Sequence, residues 1–238
     1  MIFYSDKFYY DGIYSQDCNI CLVSEGDSVL NEYGISHNDK EDEGEITLSF
    51  CYVDHVDQPM IWEDEVLEST LEWLITDEYK EFISEDNDTI SYFLKGVRYT
   101  KRFTFDMRGL IDVTFKMLSP HGYRKSVQVI PSGSNSFNIV NPSNISKPYK
   151  PIIEIKNISN SNIIITNTTT NKTPFTINNV NGKDIFIDNK IGTVTDSEGN
   201  NLILNTNRKW IELEKGNNLI AVEGNCEVTF KSYFPVMV

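Results

Sequence analysis

From Ser126 onward the sequence is a series of short apolar runs cut by turn residues, and this pattern leaves few folds open. The runs are IIEIK, NIIIT, PFTIN, DIFID, NLILN, WIELE, NLIAV and EVTF. They are separated by turns at Asn181-Gly182, Glu198-Gly199-Asn200, Lys215-Gly216 and Glu223-Gly224-Asn225. Many short strands at regular spacing, divided by Gly and Asn turns, specify an antiparallel sandwich or barrel. The Asn- and Thr-rich NSNIIITNTTTNKT keeps an apolar centre between turn-forming flanks, which suits a hairpin better than disorder.

The first half carries the same signature with one interruption. FYYDGIYS sets the turn dipeptide Asp11-Gly12 between aromatic flanks. In EITLSFCYV, Ile46, Leu48, Phe50 and Tyr52 fall on one face by strict alternation, and HNDKEDEGE just before it reads as an exposed charged loop. From Asp64 the period lengthens. Leu67, Leu71, Leu74 and Ile75 recur at helical spacing, with acids in the first turn where the helix dipole favours them. Strands resume in DTISYFLKGVRYTKRFTFDMRGLIDVTFKML. Here Ile111, Val113, Phe115 and Met117 alternate with Asp112, Thr114 and Lys116, until Pro120 and Gly122 break the pattern.

The expectation is a mainly β protein of two β-sandwich-like domains, residues 1–128 and 129–238, the first with one helix packed on it. A chain of 238 residues can bury such cores without disulfide staples. The stretch NPSNISKPYKPIIEIK (141–156) is expected to be stiff. Pro142, Pro148 and Pro151 exclude helix and bias the residues before them to extended conformations. Ile153 and Ile155 then enter the second sandwich on one face, so the stretch reads as a shoulder holding that domain at a fixed angle.

Residue chemistry offers no reaction. There is no GxSxG, HExxH, phosphate-cradling glycine loop or dinucleotide fingerprint. Cys18, Cys21, Cys51 and Cys226 are too few and scattered for a disulfide framework. Cys18 and Cys21 form a CxxC, but zinc needs a second ligand pair and a redox motif needs a surrounding βαβ pattern. Packed thiols in a strand are the expectation. His37, His55 and His121 are isolated, and His55 with Asp57 is expected on one face of a strand without a catalytic partner. Glu65, Glu68 and Glu72 share a helix face with no histidine at liganding spacing, so they read as the wet side of an amphipathic helix. Asp86-Asn87-Asp88 lacks the Gly and closing Glu of a calcium loop and reads as a hairpin turn. No catalytic residue, metal ligand or cofactor is assigned, and the chain is not expected to be an enzyme.

No segment approaches the ~20 consecutive apolar residues of a membrane span. MIFYSDKFYYDG has neither the basic end nor the apolar run of a signal peptide, so synthesis inside a cell is expected. The net charge of -14 is uneven: 24 acids and 3 bases precede Lys95, and 11 acids and 18 bases follow from it. The acidic segment would repel a polyanion such as DNA. No basic, aromatic-interleaved patch argues for sequence-specific nucleic-acid binding.

The order of these segments resembles a known family. FYYDGIYSQDCNICLVS, a charged loop, a strand, LEWLI on a helix, DTISYFLKGV and IDVTFKMLSPHGY look like the N-terminal domain of phage distal tail proteins. These form the tail-component family of long, flexible, non-contractile tails. NPSNISKPYKPIIEIKN, NTTTNKTPFTINN, GKDIFIDNKIGTVTDSEGNNL, WIELEKGNNLIAVEGNCEVTF and SYFPVMV resemble the family's C-terminal galectin-like sandwich. Leu213, Gly216, Asn218, Ile220 and Gly224 fill a run of the form L-x-x-G-x-N-x-I-x-x-x-G that is similar to the family's. Relative to the family the helical segment is unusually acidic, and the C-terminal half is compact, without room for a large inserted carbohydrate-binding module.

The resemblance implies a structural hub of the virion, at the tail tip or baseplate, made in the bacterial host cytoplasm. Its N-terminal domains would form a homo-hexameric ring continuing the tail tube, with the C-terminal domains projecting outward. Implied partners are the major tail tube protein, a tail-associated or tail-spike-type protein and a receptor-binding protein. DNA would pass through without specific binding, past a channel lined in part by the acidic first segment. The alternative is a carbohydrate-binding module for host adhesion that stacks a sugar on Trp210, although RKWIEL reads equally as a strand with its Trp in the core.

Overall fold

Alternation in residues 45–52 and 109–117 builds the centre of the first of two units, which run to Tyr123 and from Arg124 onward. The computed structural model describes residues 4–24, 44–131 and 136–236. The expected charged loop therefore lies, from residue 37 to 43, outside the described residues.

In the first unit β1 (Tyr4–Asp6), β2 (Phe8–Tyr10), β3 (Ile13–Tyr14), β4 (Ile20–Ser24) and β5 (Glu45–Tyr52) precede α1 (Asp64–Leu74). After it come β6 (Lys80–Ser84), β7 (Ser91–Phe103) and β8 (Gly109–Met117). All pairings are antiparallel, in the order β1-β4-β5-β8-β7, and from β7 the sheet continues through β6 and β2 to β3. Ile46 faces Phe115, Leu48 faces Val113 and Phe50 faces Ile111, and all six are buried. Strands well separated in this order meet through aromatic rings. Phe8 of β2 lies 5.2 Å from Phe50 of β5, and Tyr10 of β2 lies 5.7 Å from Phe115 of β8. Strands far apart in the order can share ring contacts only if the sheet curls over a common core, the sandwich-like solution for strands with one apolar face.

The helix closes this core. Leu67, Thr70 and Leu74 are buried, whereas Glu65, Glu68 and Glu72 face solvent, as the amphipathic pattern requires. Trp73 stacks on Phe8 at 5.5 Å and donates its Nε1–H to the Tyr10 carbonyl at 3.0 Å. At the helix end, Thr76 N–H bonds the Gly96 carbonyl at 3.3 Å where β7 carries a register shift between Gly96 and Arg98. A Cβ at residue 96 would sit 2.0 Å from the Leu74 carbonyl oxygen, so only glycine lets the helix terminus rest on the strand.

The second unit takes in most of β9 (Gly122–Ile130), followed by β10 (Ser136–Asn141), β11 (Ile152–Lys156), β12 (Asn162–Asn167), β13 (Phe175–Asn178), β14 (Ile185–Asp188), β15 (Thr193–Asp196), β16 (Gly216–Glu223) and β17 (Glu227–Val236). One sheet runs β10-β16-β12-β13, and facing it the order is β9-β17-β11-β14-β15. Ile139, Ile163, Ile165, Phe175 and Ile220 from the first pack with Ile153, Ile155, Ile187, Phe230 and Phe234 from the second in one buried cluster. This is a sandwich core, and Ile153 and Ile155 enter it together.

Three expectations differ in detail. NLILN is not a strand: Ile203–Asn205 forms a 3-10 turn, because the Asn201 carboxamide accepts the Ile203 N–H at 2.9 Å. WIELE is extended but pairs only through the isolated Tyr149–Leu213 bridge. The proline-rich stretch lies within the second unit and crosses from β10 of one sheet to β11 of the other. It is fastened along its length. Ser143 Oγ–H donates to the Pro235 carbonyl at 2.7 Å, Tyr149 exchanges backbone bonds with Leu213, and the Pro151 carbonyl accepts Asn189 Nδ2–H at 2.7 Å.

Candidate functional site

Among the described residues, the most exposed apolar side chain of the first unit stands on a hairpin held by backbone bonds at its turn. Between β7 and β8, Thr104 N–H bonds the Arg108 carbonyl at 2.7 Å and Met107 N–H bonds the Thr104 carbonyl at 3.1 Å, with Met107 left-handed at φ 60. The turn leaves Phe105 fully exposed and Met107 partly so. Trp62 braces the base: it is buried, stacks on Phe103 at 6.1 Å, takes the Met107 carbonyl with its backbone N–H and gives its Nε1–H to the Gly109 carbonyl, both at 3.0 Å. Gly109 sits at φ 143 with the Arg102 carbonyl oxygen 2.1 Å from where a Cβ would be, so the hairpin narrows there.

The hairpin carries exposed bases, Lys101 on the face opposite Arg98 and Arg102. Arg98, Lys101, Arg102 and Arg108 are exposed. Arg102 holds Asp112 with a forked pair of bonds, Nε to Oδ2 and Nη2 to Oδ1, and Ser49 Oγ–H adds a third at 2.6 Å. Burial works against charge on Asp112, but these partners outweigh it and hold the carboxyl below its usual range. Arg98 pairs with Glu45 at 2.7 Å. These contacts tie β7 to β8 and β5, and none of them sets a nucleophile beside a base.

At the β6–β7 turn, Asp86 and Asn87 lie in a 3-10 turn joining two paired strands, the expected hairpin. Partial burial, together with the neighbouring Asp86 and Glu85, raises the Asp6 carboxyl to about 6. His55 and Asp57 lie in a turn instead of a strand. Asp54 Oδ1 accepts the N–H groups of Val56 and Gln58, both at 2.9 Å, and Asp57 is left-handed, so the chain reverses there. His37 lies outside the described residues. Cys18 ends a 3-10 turn and is separated from Cys21 by the left-handed Asn19, while Cys21 lies opposite Cys51 in β5. Sequence spacing drew attention to Cys18, and the partner the fold supplies is 30 residues away. Among the described residues no group of three or more His, Cys, Asp or Glu side chains is placed to hold a metal ion.

In the second unit Trp210 is partly buried against the core. Its ring lies over Gly192, 3.3 Å from the position of a Cβ there, and 6.2 Å from the ring of Phe175. The run Leu213, Gly216, Asn218, Ile220, Gly224 forms a fastened turn and strand. Leu213 and Ile220 are buried, Gly216 is at φ 87, and Gly224 at φ 124 leaves room for the Ile163 side chain. Asn218, fully buried, accepts the Glu214 N–H and Asn167 Nδ2–H at 2.8 and 2.9 Å and donates to the Glu214 and Gly216 carbonyls at 2.7 and 3.0 Å. Every polar atom of this side chain is used within the fold.

Residues 121–232 match the model of a family described as a phage tail C-terminal domain. No curated protein matches the sequence. Among solved structures the fold is similar to the Dit protein of phage SPP1, described as a paradigm of the hub adsorption apparatus in phages infecting Gram-positive hosts. The TM-score is 0.63 and the identity 14%, over 98% of this chain and 100% of that one. It is also similar to a chain of the phage P2 baseplate in its activated conformation with Ca, at a TM-score of 0.54 and 10% identity over 97% and 98% of the two chains. The same baseplate with Sr gives 0.54 and 10% over 96% and 97%. The chain is thus similar to phage distal tail and baseplate proteins, in fold along nearly its whole length and in sequence over the phage tail C-terminal domain at residues 121–232.

Proposed function

We propose that the chain is a structural hub of a phage tail, a homo-hexameric ring at the distal end of the tube that joins it to the baseplate and passes DNA. The observation carrying this reading is that one fold match embraces both units together, 98% of this chain, on a protein described as a hub of the adsorption apparatus. In this reading residues 1–128 form the ring and residues 129–238, galectin-like, project outward. The partners are the major tail tube protein, a tail-associated or tail-spike-type protein and a receptor-binding protein. The place is the virion tail tip.

A closed ring needs heterologous contacts, one face of a subunit against a different face of the next. The braced hairpin with Phe105 at its tip supplies a projecting part for such a contact. Passage of DNA favours an acidic wall, since phosphates are held by Lys and Arg through counterion release. The exposed acids of α1 suit the channel side, and the β7–β8 hairpin, whose arginines are paired with acids, suits a protein contact. The partial burial of Trp210 speaks for support of the core rather than for sugar stacking.

The test is native mass spectrometry of the full chain, alone and with its tail tube protein, followed by negative-stain imaging. Hexamers that image as rings with an electronegative lumen are expected. A strict monomer under both conditions, or a ring with a basic lumen, would overturn the proposal.

A further inference from the structure

We propose that Cys21 and Cys51 are a cross-strand dithiol that converts reversibly to a disulfide, giving the first unit a redox site. The two residues are direct partners in the β4–β5 ladder. Val53 N–H donates to the Asn19 carbonyl at 2.9 Å, two residues along the same ladder, so by alternation the 21/51 pair is also of the hydrogen-bonded kind. Such pairs hold their Cα atoms about 5.5 Å apart, within the window of about 4.4–6.8 Å that a disulfide spans. Both side chains point to the same face and are buried in a small apolar cluster with Val23, Val53 and Leu110. Cys226 is in the core of the second unit, and Cys18, half-exposed, is turned away by the chain reversal at Asn19.

The two thiols are unequal. A hydrogen bond from Cys21 holds the Cys51 thiol below its usual range despite burial, and the same bond with burial pushes Cys21 up. Either sulfur, once deprotonated, can attack first, and the step is written for Cys51. With glutathione disulfide as oxidant, the Cys51 thiolate displaces one glutathione thiolate to form a mixed disulfide. Cys21 loses its proton and attacks the Cys51 sulfur, displacing the second. Two protein thiols are oxidised, one glutathione disulfide is reduced to two glutathiones, and the two protons leave with them. The product fastens β4 covalently to β5 and closes the chain between them into a loop. With both sulfurs buried, the reaction waits on local opening of the sheet.

The full chain, purified reduced, is incubated in glutathione buffers of graded potential, quenched with acid, alkylated and mapped by mass spectrometry without reduction. The expected product is about 2 Da lighter, with one linked peptide pair containing Cys21 and Cys51. Its unfolding midpoint should rise by about 5–10 °C. Cys18→Ser should keep the link and Cys51→Val should lose it. Should Cys51→Val fail to fold, the map of the unaltered chain decides alone. Four alkylated cysteines in the most oxidising buffer, or a link from Cys18 to Cys21 or Cys51, would overturn the proposal.

Discussion

Replacing Asn218 with alanine tests whether the turn before β16 is held by one side chain. The substitution removes bonds to the Glu214 N–H, the Glu214 and Gly216 carbonyls and Asn167 Nδ2. Asn167 keeps a second acceptor, the Glu212 carbonyl at 2.8 Å, so three backbone groups of the turn lose this partner, along with a long 3.5 Å contact to the Ile139 carbonyl. At about 1–3 kcal/mol for a buried polar group left unpaired, with water able to reach the partly buried turn, the cost is about 3 kcal/mol. For a chain of this size that lowers the midpoint of the second unit by about 6–12 °C. Trp210 is the sole tryptophan of the second unit, so in a fluorotryptophan-labelled chain its separate 19F signal in a denaturant series reports on that unit, which total fluorescence, shared with Trp62 and Trp73, would not. Asn218→Asp supplies a contrast. Its carboxylate would face two carbonyl oxygens, so at pH 7 it should cost more than alanine and should recover at pH 4, where a protonated acid can donate. A cost below about 1 kcal/mol for Asn218→Ala would show that water satisfies the turn and would refute the reasoning.

Other substitutions probe the first unit. Gly96→Ala forces a Cβ into the Leu74 carbonyl and should cost about 2–4 kcal/mol by urea unfolding. Gly12→Ala, in open space at φ 85, should cost only about 1 kcal/mol. Asp6 has its folded carboxyl raised from 3.8 to about 6, so the folded state binds that proton more tightly than the unfolded chain. Stability from this group is present below about pH 4 and is lost as pH rises through 6. Asp6→Asn should therefore stabilise at pH 7.5 by about 1 kcal/mol, a figure discounted for solvent exposure, and give no gain at pH 4 in thermal scans. Phe105→Ser should leave the unfolding midpoint unchanged, because the side chain is fully exposed, while lowering the fraction of ring seen by native mass spectrometry.

What was legible in the sequence was whatever repeats locally. The alternation of Ile46, Leu48 and Phe50 and of Ile111, Val113 and Phe115 marked the two central strands, and Leu67 and Leu74 marked the helix, because a single element imposes each period. Thr193–Asp196 went unnoticed, since Val194 is its only large apolar residue and its pairing with β14 does the rest. NLILN shows the opposite case: its apolar content predicts a strand, but the Asn201 side chain captures the Ile203 N–H and turns the chain. Long-range partners had no local trace. Trp62 braces the end of a hairpin 47 residues away through Gly109, and Cys21 meets Cys51 through a register that spacing does not encode. The prolines of residues 141–156 mark an extended stretch, and hydrogen bonds at Ser143, Tyr149 and Pro151 fasten it. What that stretch serves, a crossing between two sheets of one sandwich, depends on which strands Asn141 and Ile152 join.

The outer strands of the second unit bear on how the protein survives crowding. Strands β13 and β15 each stand at the end of their sheet and are only four residues long. Each is closed off by a sharp reversal, Asn179 at φ 58 after β13 and the Asp196–Asn200 turn after β15. Edges this short offer a neighbouring chain little backbone to template upon. Along these two edges, copies can be brought side by side without zippering into a fibre; the longer β10 closes the other end of its sheet.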